Sequence, residues 1–308
     1  MTITYKLYLE LIFAGTIVLA ILLINNIFLY KQKMEYIAKV LLLFAVCFLS
    51  AGCVSNEWVY DPITDVNDLE GRRVGVNLAW ESDYYLTGRK DMELVRYDTT
   101  ADMILALKYD KIDAIALDKD SIRLIVSVSD GIEIVEPSFG EAGSIMYFGS
   151  DNESLVEDFN QYLVEFKKTE EYQDLLKRMD EFNGSEYIGT DIPLTGKGEV
   201  IRLTLEPDMF PRAFINPGED IPEGYDTEII KHYANDRNYQ LEFCYSSYDD
   251  SVLGLRTGKY DVMTGYICDL YAEEARKTGL LTCDSMYAFP MYFIQKNQKD
   301  LTSDTSEY

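Results

Sequence analysis

Few side chains of this sequence are of the types that catalyse reactions or hold metal ions. Of 308 residues only one is a histidine, His232, so a multi-histidine metal site and histidine-dependent acyl transfer are both excluded. After residue 53 the cysteines are Cys244, Cys268 and Cys283, and none has the CxxC spacing of a metal site. Two alternatives stay open for them: a Cys268–Cys283 disulfide, or three free thiols. The sequence also lacks a GxxxxGK[ST] phosphate-binding loop, so it cannot power transport by itself.

Another cysteine, Cys53, ends a segment that has the layout of an export signal. A short charged start precedes the apolar run 40–49, and the small residues 50–52 lead to the cysteine. This ending resembles a bacterial lipobox, although Ser50 stands where an aliphatic residue is usual. We expect residues 34–53 to be a lipoprotein signal peptide. Cys53 would then be lipidated and would anchor the protein at the extracytoplasmic face of the cell membrane.

A further apolar block precedes this signal. Residues 7–30 are nearly uncharged and are long enough to cross a bilayer as a helix. Residues 1–33 therefore contain an extra membrane helix, or translation starts at Met34 and the block is an upstream artefact; we favour the second interpretation. Both interpretations place the rest of the chain outside the cytoplasmic membrane.

The composition limits what the exported part can be. Hydrophobic residues make up 47% of the chain, which excludes global disorder. The 53 acidic and 28 basic side chains give a formal net charge of -25. Because phosphate binding needs a basic face, nucleic acid is excluded as a partner.

From residue 68 onwards, strand and helix patterns alternate. The predicted strands are 73–76, 112–117, 144–148, 200–205, 241–245, 260–264 and 291–295, and the predicted helices are 100–109, 155–179 with a break near Thr169, 226–235, 251–256 and 272–277. Repeated βα units predict parallel sheets with helices on both faces and a ligand beyond the strand ends. The segments 106–118 and 255–265 echo each other, as two similar lobes facing one cleft would.

Five motifs in register resemble the bacterial extracellular solute-binding proteins of family 3, which serve polar amino-acid importers. These motifs are Leu205–Asn216, Gly224–Asp226, Thr257–Val262, Asp68–Val76 and Lys111–Asp118. The resemblance covers roughly residues 61–298. It implies an α/β, two-lobed, periplasmic-binding-protein-like (type II) fold with parallel-rich mixed sheets and a hinge.

The order of the motifs is permuted, because those of the family's second lobe come first and those of its first lobe start near residue 200. This order implies a circular permutation of one complete unit. The alternative is two incomplete halves of separate binding domains. The predicted organisation after residue 53 is a tether (54–66), a second-lobe-like domain (67–147), helices packing on the other lobe (148–183), a linker (184–198), a first-lobe-like domain (199–297) and a disordered tail (298–308).

The resemblance also implies a ligand site. Family members hold an amino acid with an arginine fork on its carboxylate, an acidic side chain on its ammonium group and aromatic side chains on the remainder. Asp118 matches the ammonium-binding aspartate, or it only caps the following helix. Glu81 stands where the family has a small hydroxyl residue, so it repels a carboxylate. Trp80 beside it stacks on the ligand or fills the core.

The arginine fork has no clear match. Arg276 is this arginine displaced, or a surface residue of a helix. Phe210 and Phe214 keep aromatic character in the opening motif, whereas Arg212 replaces an aromatic residue and either contacts an anion or is solvated. The predicted ligand-binding residues are Trp80, Glu81, Asp118, Phe210, Arg212, Phe214, Tyr266 and Arg276. Such an acidic, aromatic cleft suits a cationic or amine ligand better than an ordinary α-amino acid.

The function predicted from the resemblance is that of a membrane-anchored extracellular solute-binding protein. It would capture a small polar or amine-containing solute for an ABC importer whose permease and ATPase are separate subunits. The alternative is a sensory or structural lipoprotein with a degenerate solute-binding fold. An enzyme with Glu81 and Asp118 as an acid–base pair is not supported, because no nucleophile-plus-base set accompanies them. We expect neither a cofactor nor a metal ion.

Overall fold

The computed structural model describes residues 62–297. Its strands are β1 (Arg73–Asn77), β2 (Glu93–Tyr97), β3 (Ala114–Asp118), β4 (Ile132–Ser144), β5 (Tyr147–Phe148), β6 (Val200–Leu205), β7 (Asp208–Met209), β8 (Ala213–Phe214), β9 (Gln240–Tyr245), β10 (Val262–Met263), β11 (Leu281–Thr282) and β12 (Tyr287–Lys296). Its helices are α1 (Glu81–Leu86), α2 (Thr100–Lys108), α3 (Lys119–Val128), α4 (Glu153–Phe166), α5 (Glu170–Glu181), α6 (Tyr225–Asp236), α7 (Tyr248–Arg256) and α8 (Ala272–Lys277).

The first sheet has the strand order β2-β1-β3-β12-β4. Strands β1, β2 and β3 are parallel, and β12 runs antiparallel to both of its neighbours. Side chains alternate between the two faces of a strand. Along β3, Ala114 and Ala116 therefore join one hydrophobic cluster, while Ile115 and Leu117 join another on the opposite face. Both faces of the sheet are covered, as expected for parallel-rich strands.

The second sheet has the order β11-β5-β10-β6-β9 and repeats this plan. Strands β9, β6 and β10 are parallel, and β5 is antiparallel to β10 and β11. The helices α4 and α5 pack on this sheet, because Phe159 and Leu175 belong to the same buried cluster as Leu203 of β6 and Ile229 of α6. This shared cluster places α4 and α5 on the sheet built mainly from residues after 200.

The two halves of the chain exchange one strand each. After β4 the chain crosses from the first sheet into the second to form β5, and after β11 it crosses back to form β12. We name residues 62–144 with 287–297 the N lobe and residues 145–286 the C lobe. The predicted domains 67–147 and 199–297 therefore differ from the structure at their ends. Tyr147 lies in the C lobe and β12 in the N lobe, because a strand pattern does not reveal which sheet the strand enters.

The internal echo in the sequence corresponds to a repeated ion pair. In the N lobe, Asp113 accepts hydrogen bonds from the backbone N–H and the guanidinium of Arg73, at 2.8, 3.1 and 2.8 Å. In the C lobe, Asp261 accepts the same three bonds from Arg202, at 2.8, 2.9 and 2.7 Å. Each aspartate thus ties the start of the lobe's third parallel strand to its first, which supports the prediction of two similar lobes.

The two ends of the described chain meet in the N lobe. The Gln295 side chain accepts from the Ile63 backbone N–H at 2.8 Å and donates to the Ile63 carbonyl at 3.0 Å. Adjacent ends are what a circularly permuted chain requires. The permutation itself stays a prediction.

Several boundaries differ from the sequence prediction. The long helical region is divided into α4 and α5, as predicted, and Thr169 caps α5 by accepting from the Tyr172 N–H at 3.3 Å. The single strand expected at 144–148 is in fact the end of β4, a crossing and the short β5. Strand β2, most of β4 and the helix α1 were not predicted, and α3 was expected only in the alternative that Asp118 caps a helix. Residues 184–198 contain no helix or strand.

The three cysteines within residues 62–297 are free thiols. The crossing from β4 to β5 runs between two of them: Ser144 pairs with Cys268, and the Met146 N–H contacts the Cys283 sulfur at 3.1 Å. This arrangement leaves no Cys268–Cys283 bridge. The segments 1–33, 34–53 with Cys53, the tether up to residue 61 and the tail 298–308 lie outside the described residues. Within the described part, no helix is long and apolar enough to cross a membrane.

The packing of α4 on the C lobe can be tested with a core substitution. Phe159 is fully buried, and its ring lies 4.9 Å from that of Tyr233. We expect Phe159→Ala to lower the free energy of unfolding by about 3–5 kcal/mol in urea denaturation. The control Val164→Ala, on the exposed face of the same helix, should change it by less than about 0.5 kcal/mol. Equal effects of the two substitutions would show that α4 is not part of the core.

Candidate functional site

A cavity of about 770 Å³ lies between the lobes. The N lobe lines it with the segment after β1, the start of α1 and one side of α3. The C lobe lines it with the β6–β7 turn, α7, the segment after β10 and α8. These segments follow the carboxyl ends of parallel strands, which is where α/β folds bind ligands. The volume is within the range usual for sites of small molecules.

Aromatic side chains form much of the cavity wall. Those that line it are Trp80, Tyr84, Tyr147, Phe210, Tyr248, Tyr266 and Tyr271. Tyr84 of the N lobe and Tyr271 of the C lobe meet edge to face with ring centroids 4.8 Å apart, so the aromatic wall is continuous across the lobes. Aromatic faces attract cations as well as apolar groups.

The charged lining residues are all acidic. Glu81 comes from the N lobe, and Glu206, Asp208 and Glu274 come from the C lobe. Among the described residues that line the cavity there is no arginine, lysine or histidine. A carboxylate ligand would therefore meet like charges and no fork, whereas a cation would be attracted.

Glu81 is the most deeply placed of these carboxylates. Its side chain is only 4% exposed, Oε1 has no hydrogen-bond partner, and Oε2 receives a long 3.5 Å contact from the Tyr271 hydroxyl. Burial, and then the nearby charge of Asp118, raise the pKa of Glu81 to about 7. The long Tyr271 contact, the residue's own backbone N–H and the charge of Arg212 stabilise the ionised form too little to offset burial, and Oε1 has no donor.

Asp118 does not face the cavity with a free charge. It is fully buried and caps α3, where Oδ1 accepts from the backbone N–H groups of Asp120 and Ser121 at 3.0 and 3.3 Å. The same oxygen accepts from Arg212 Nη2 at 3.1 Å. The capping role that the sequence left open is therefore present, and the only positive charge paired with Asp118 among the described residues is a guanidinium of the protein.

Arg212 links the two lobes. It belongs to the C lobe, is 1% exposed, and pairs with Asp118 and, through Nε at 3.2 Å, with Asp120 of the N lobe. Its guanidinium carbon lies 4.3 Å from the ring centroid of Tyr266 and 3.9 Å from that of Phe289. Both predicted roles of Arg212 are wrong: it is neither solvated nor free to bind an anion, because two carboxylates and two rings enclose it.

The remaining predicted residues divide into two groups. Trp80, Phe210 and Tyr266 line the cavity together with Glu81. Phe214 and Arg276 do not. Phe214 is buried against Phe210 and Tyr187. Arg276 is exposed on α8 and donates to Thr282 Oγ1 at 3.1 Å, so it is a surface residue and not a carboxylate clamp.

The sequence analysis missed Asp120, Tyr271 and Glu206. Asp120 completes the carboxylate pair around Arg212, and burial is the main cause that raises its pKa to about 6. A second acidic residue in the first turn after Asp118 was the available signal for it. Nothing local in the sequence marks Tyr271 or Glu206 as cavity residues, since the partners across the cleft are far away in the chain.

No group of three or more metal-ligating side chains occurs in the part of the chain that the structure describes. A small second cavity of about 250 Å³ lies against α5 and α6 and is lined by Glu170, Glu171, Asp174, Arg178, Thr190 and His232. It is formed within the C lobe and is separate from the cleft.

Part of the chain is similar in sequence to a curated protein. A protein of Campylobacter jejuni described as a probable histidine-binding protein is 28% identical over 124 residues. These residues are 39% of this chain and 48% of that protein, so the match spans about half of its length. No protein-family model matches the chain. The motifs and the lobes together make this chain similar to extracellular solute-binding proteins.

Solved structures that are similar to the chain include the GluR0 ligand-binding core complexed with L-glutamate (11% identity, TM-score 0.36, 76% of this chain and 87% of that chain). A probable amino-acid ABC transporter extracellular-binding protein of Bacillus subtilis gives 10% identity and a TM-score of 0.38 over 76% of this chain and 88% of its own. Matches this weak say nothing about a ligand. The two-lobed α/β fold class is defined by the sheet orders above.

The buried ion pairs of Arg212 can be tested through stability. We expect Arg212→Met to lower the free energy of unfolding by about 3–5 kcal/mol, because it leaves Asp118 and Asp120 buried without a countercharge. The matched control is Arg276→Met, which removes an exposed arginine and should have an effect below about 0.5 kcal/mol. Urea denaturation measures both. A small effect of Arg212→Met would contradict the burial of this charge cluster.

Proposed function

We propose that this protein is an extracellular solute-binding protein that captures a small, amine-containing cation in the cavity between its lobes. The observation that carries the proposal is the cavity lining, in which aromatic rings and four carboxylates occur without a basic residue among the described lining side chains. Cations bind to such surfaces through ring faces and through charge-assisted hydrogen bonds.

The amino-acid connection comes from the similar proteins. The Campylobacter jejuni protein is described as histidine-binding, and histidine carries both an ammonium group and an aromatic ring. In this chain the carboxylate end of an amino acid has no basic partner in the described cavity lining, whereas its ammonium and ring ends do have suitable surroundings. We therefore infer a ligand class close to that of amino-acid binders but without the requirement for an α-carboxylate.

Capture would use the motion of the lobes. The lobes are joined by two crossings, and Asp226 of α6 accepts from Ser144 Oγ at the end of β4 at 3.1 Å and from the Tyr287 hydroxyl at the start of β12 at 2.5 Å. These bonds tie the N-lobe ends of both crossings to the C lobe. Hinge closure around a ligand is the usual motion of such two-lobed proteins.

The cellular setting is part of the same proposal. A lipid anchor at Cys53 would hold the binding unit at the extracytoplasmic face of the membrane, and a separate permease and ATPase would take the solute across. The strongly acidic chain, with a formal net charge of -25, would raise the local concentration of cations near the cleft. Binding rather than catalysis is favoured by the similarity to a probable histidine-binding protein.

The test is a thermal-shift screen of the full chain, kept in detergent because of its apolar N-terminal segments, against amines, polyamines, α-amino acids and organic acids. We expect amines to raise the melting temperature, since ligand at 100 times its Kd adds about 2.7 kcal/mol of stability. A shift with organic acids or α-amino acids alone would contradict the proposed ligand class. If no compound of the panel raised the melting temperature, the result would contradict solute binding.

The cavity can be located with a pair of aromatic substitutions. Trp80→Ala should weaken binding of the best amine about 5- to 30-fold in isothermal titration calorimetry, because it removes a ring face worth roughly 1–2 kcal/mol to a cation. Tyr109→Ala is the matched control, since Tyr109 is 72% exposed and does not line the cavity. Equal affinities of the two variants would place the site elsewhere.

A further inference from the structure

We propose that Glu81 is the ammonium acceptor of the cavity, and that its ligand is a primary or secondary amine without a carboxylate. This inference rests on the proposed function and names the subsite and the ligand class within it. The buried aspartate at the end of β3 forms a salt bridge with Arg212 and does not line the cavity, although its Oδ2 has no hydrogen-bond partner. The buried glutamate at the start of α1 does line the cavity and has no salt bridge to a described residue.

Asp118 is unavailable to a solute because Arg212 occupies it. The guanidinium is held from four sides, by Asp118, Asp120, Tyr266 and Phe289. Moving it would leave two buried carboxylates without a countercharge, a change that costs several kcal/mol. A small ammonium ion in the cavity cannot supply both pairings that the fork supplies.

Three buried carboxylate oxygens of the described residues have no hydrogen-bond partner, Glu81 Oε1, Asp118 Oδ2 and Asp226 Oδ2, and of these residues Glu81 lines the cavity. Four buried carboxylates, Glu81, Asp118, Asp120 and Asp226, lie near the single guanidinium of Arg212, so the cluster lacks positive charge. Oε1 of Glu81 is buried without a partner, and the side chain lines the cavity. A donor that enters the cavity would satisfy this oxygen and balance the charge in one step.

The chemistry of this acceptor selects the ligand class. A buried carboxylate oxygen without a partner needs an N–H donor, which a primary or secondary ammonium has and a quaternary ammonium lacks. A carboxylate on the ligand would be repelled by Glu81, Glu206 and Asp208. The neighbouring rings of Trp80 and Tyr271 would pack on the organic part of the amine.

Calorimetry with three matched probes tests the ligand class on the full chain: 2-phenylethylamine, its N,N,N-trimethyl derivative and phenylalanine. The first is a primary ammonium, the second removes the N–H donors, and the third adds the carboxylate. We expect 2-phenylethylamine to bind at least roughly tenfold more tightly than either of the others. Equal or tighter binding of the trimethyl derivative or of phenylalanine would overturn the proposal.

Glu81→Gln tests the residue. It keeps the size of the side chain and removes its charge, so the affinity for 2-phenylethylamine should fall roughly tenfold or more. Glu273→Gln is the control, because Glu273 is an exposed residue of α8 outside the cavity lining and the substitution changes the net charge by the same amount. Equal affinities of the two variants would overturn the role of Glu81.

The pH dependence of wild-type binding gives a readout that needs no variant. The charged and titratable groups around Glu81 are Asp118, Arg212 and Tyr271, with Cys268 beyond. Since the pKa of Glu81 is about 7, the ionised acceptor is scarce at pH 6 and abundant at pH 8, while the amine stays protonated. The affinity should be about tenfold weaker at pH 6 than at pH 8. A flat profile would contradict the assignment.

The outcomes separate this inference from the proposed function. If 2-phenylethylamine binds and Trp80→Ala weakens it while Glu81→Gln does not, the cavity binds amines by another acceptor and only the inference fails. If 2-phenylethylamine does not bind but another solute of the panel does, the inference fails and solute capture stands. If no solute binds, both fail.

Discussion

The buried contact of Arg212 with Asp118 and Asp120 is the interaction on which the site depends. It joins residues 94 and 92 positions apart in the chain and connects the two lobes. Charges this deeply buried are tolerated only when they are paired and hydrogen-bonded. The pairing therefore fixes the start of α3 against the C lobe and removes Asp118 from the ligand's reach.

The two lobes that Arg212 connects are also joined by an exchange of strands, because β5 belongs to the second sheet and β12 to the first. Each lobe receives an antiparallel strand from the other half of the chain, so neither sheet is complete without both halves. The two crossings lie side by side, and Asp226 bonds to Ser144 and Tyr287 where they pass. The connection is thus covalent and hydrogen-bonded at the crossings, while Arg212 and the Tyr84–Tyr271 ring contact join the lobes through side chains.

Local patterns were sufficient to predict much of the fold. Helix α4 and α5 carry a clear apolar periodicity, Thr169 signals the break between them, and the aspartates 113 and 261 mark equivalent strand starts in the two lobes. Strand β2 and the long β4 were missed because their charged and glycine-containing sequences do not show a buried strand pattern. The strand exchange was missed because sheet membership is decided by long-range pairing and not by local propensity.

The site was predictable in composition but not in arrangement. Trp80, Glu81, Phe210 and Tyr266 do line one acidic, aromatic cavity. The burial and contacts of Arg212 and Arg276 were not predictable. The sequence does not show whether a basic residue will contact a carboxylate about 90 residues away in the chain. The sequence predicted that Arg212 is solvated or contacts an anion. In the structure it is buried and pairs with Asp118 and Asp120.

The most direct test of this account is a crystal structure of the protein with bound 2-phenylethylamine. The account predicts that the ammonium nitrogen lies within hydrogen-bond distance of Glu81 Oε1, about 2.7–2.9 Å, with Arg212 still paired to Asp118 and Asp120. An ammonium nitrogen bonded to Asp118, with the Arg212 side chain displaced from it, would contradict the account.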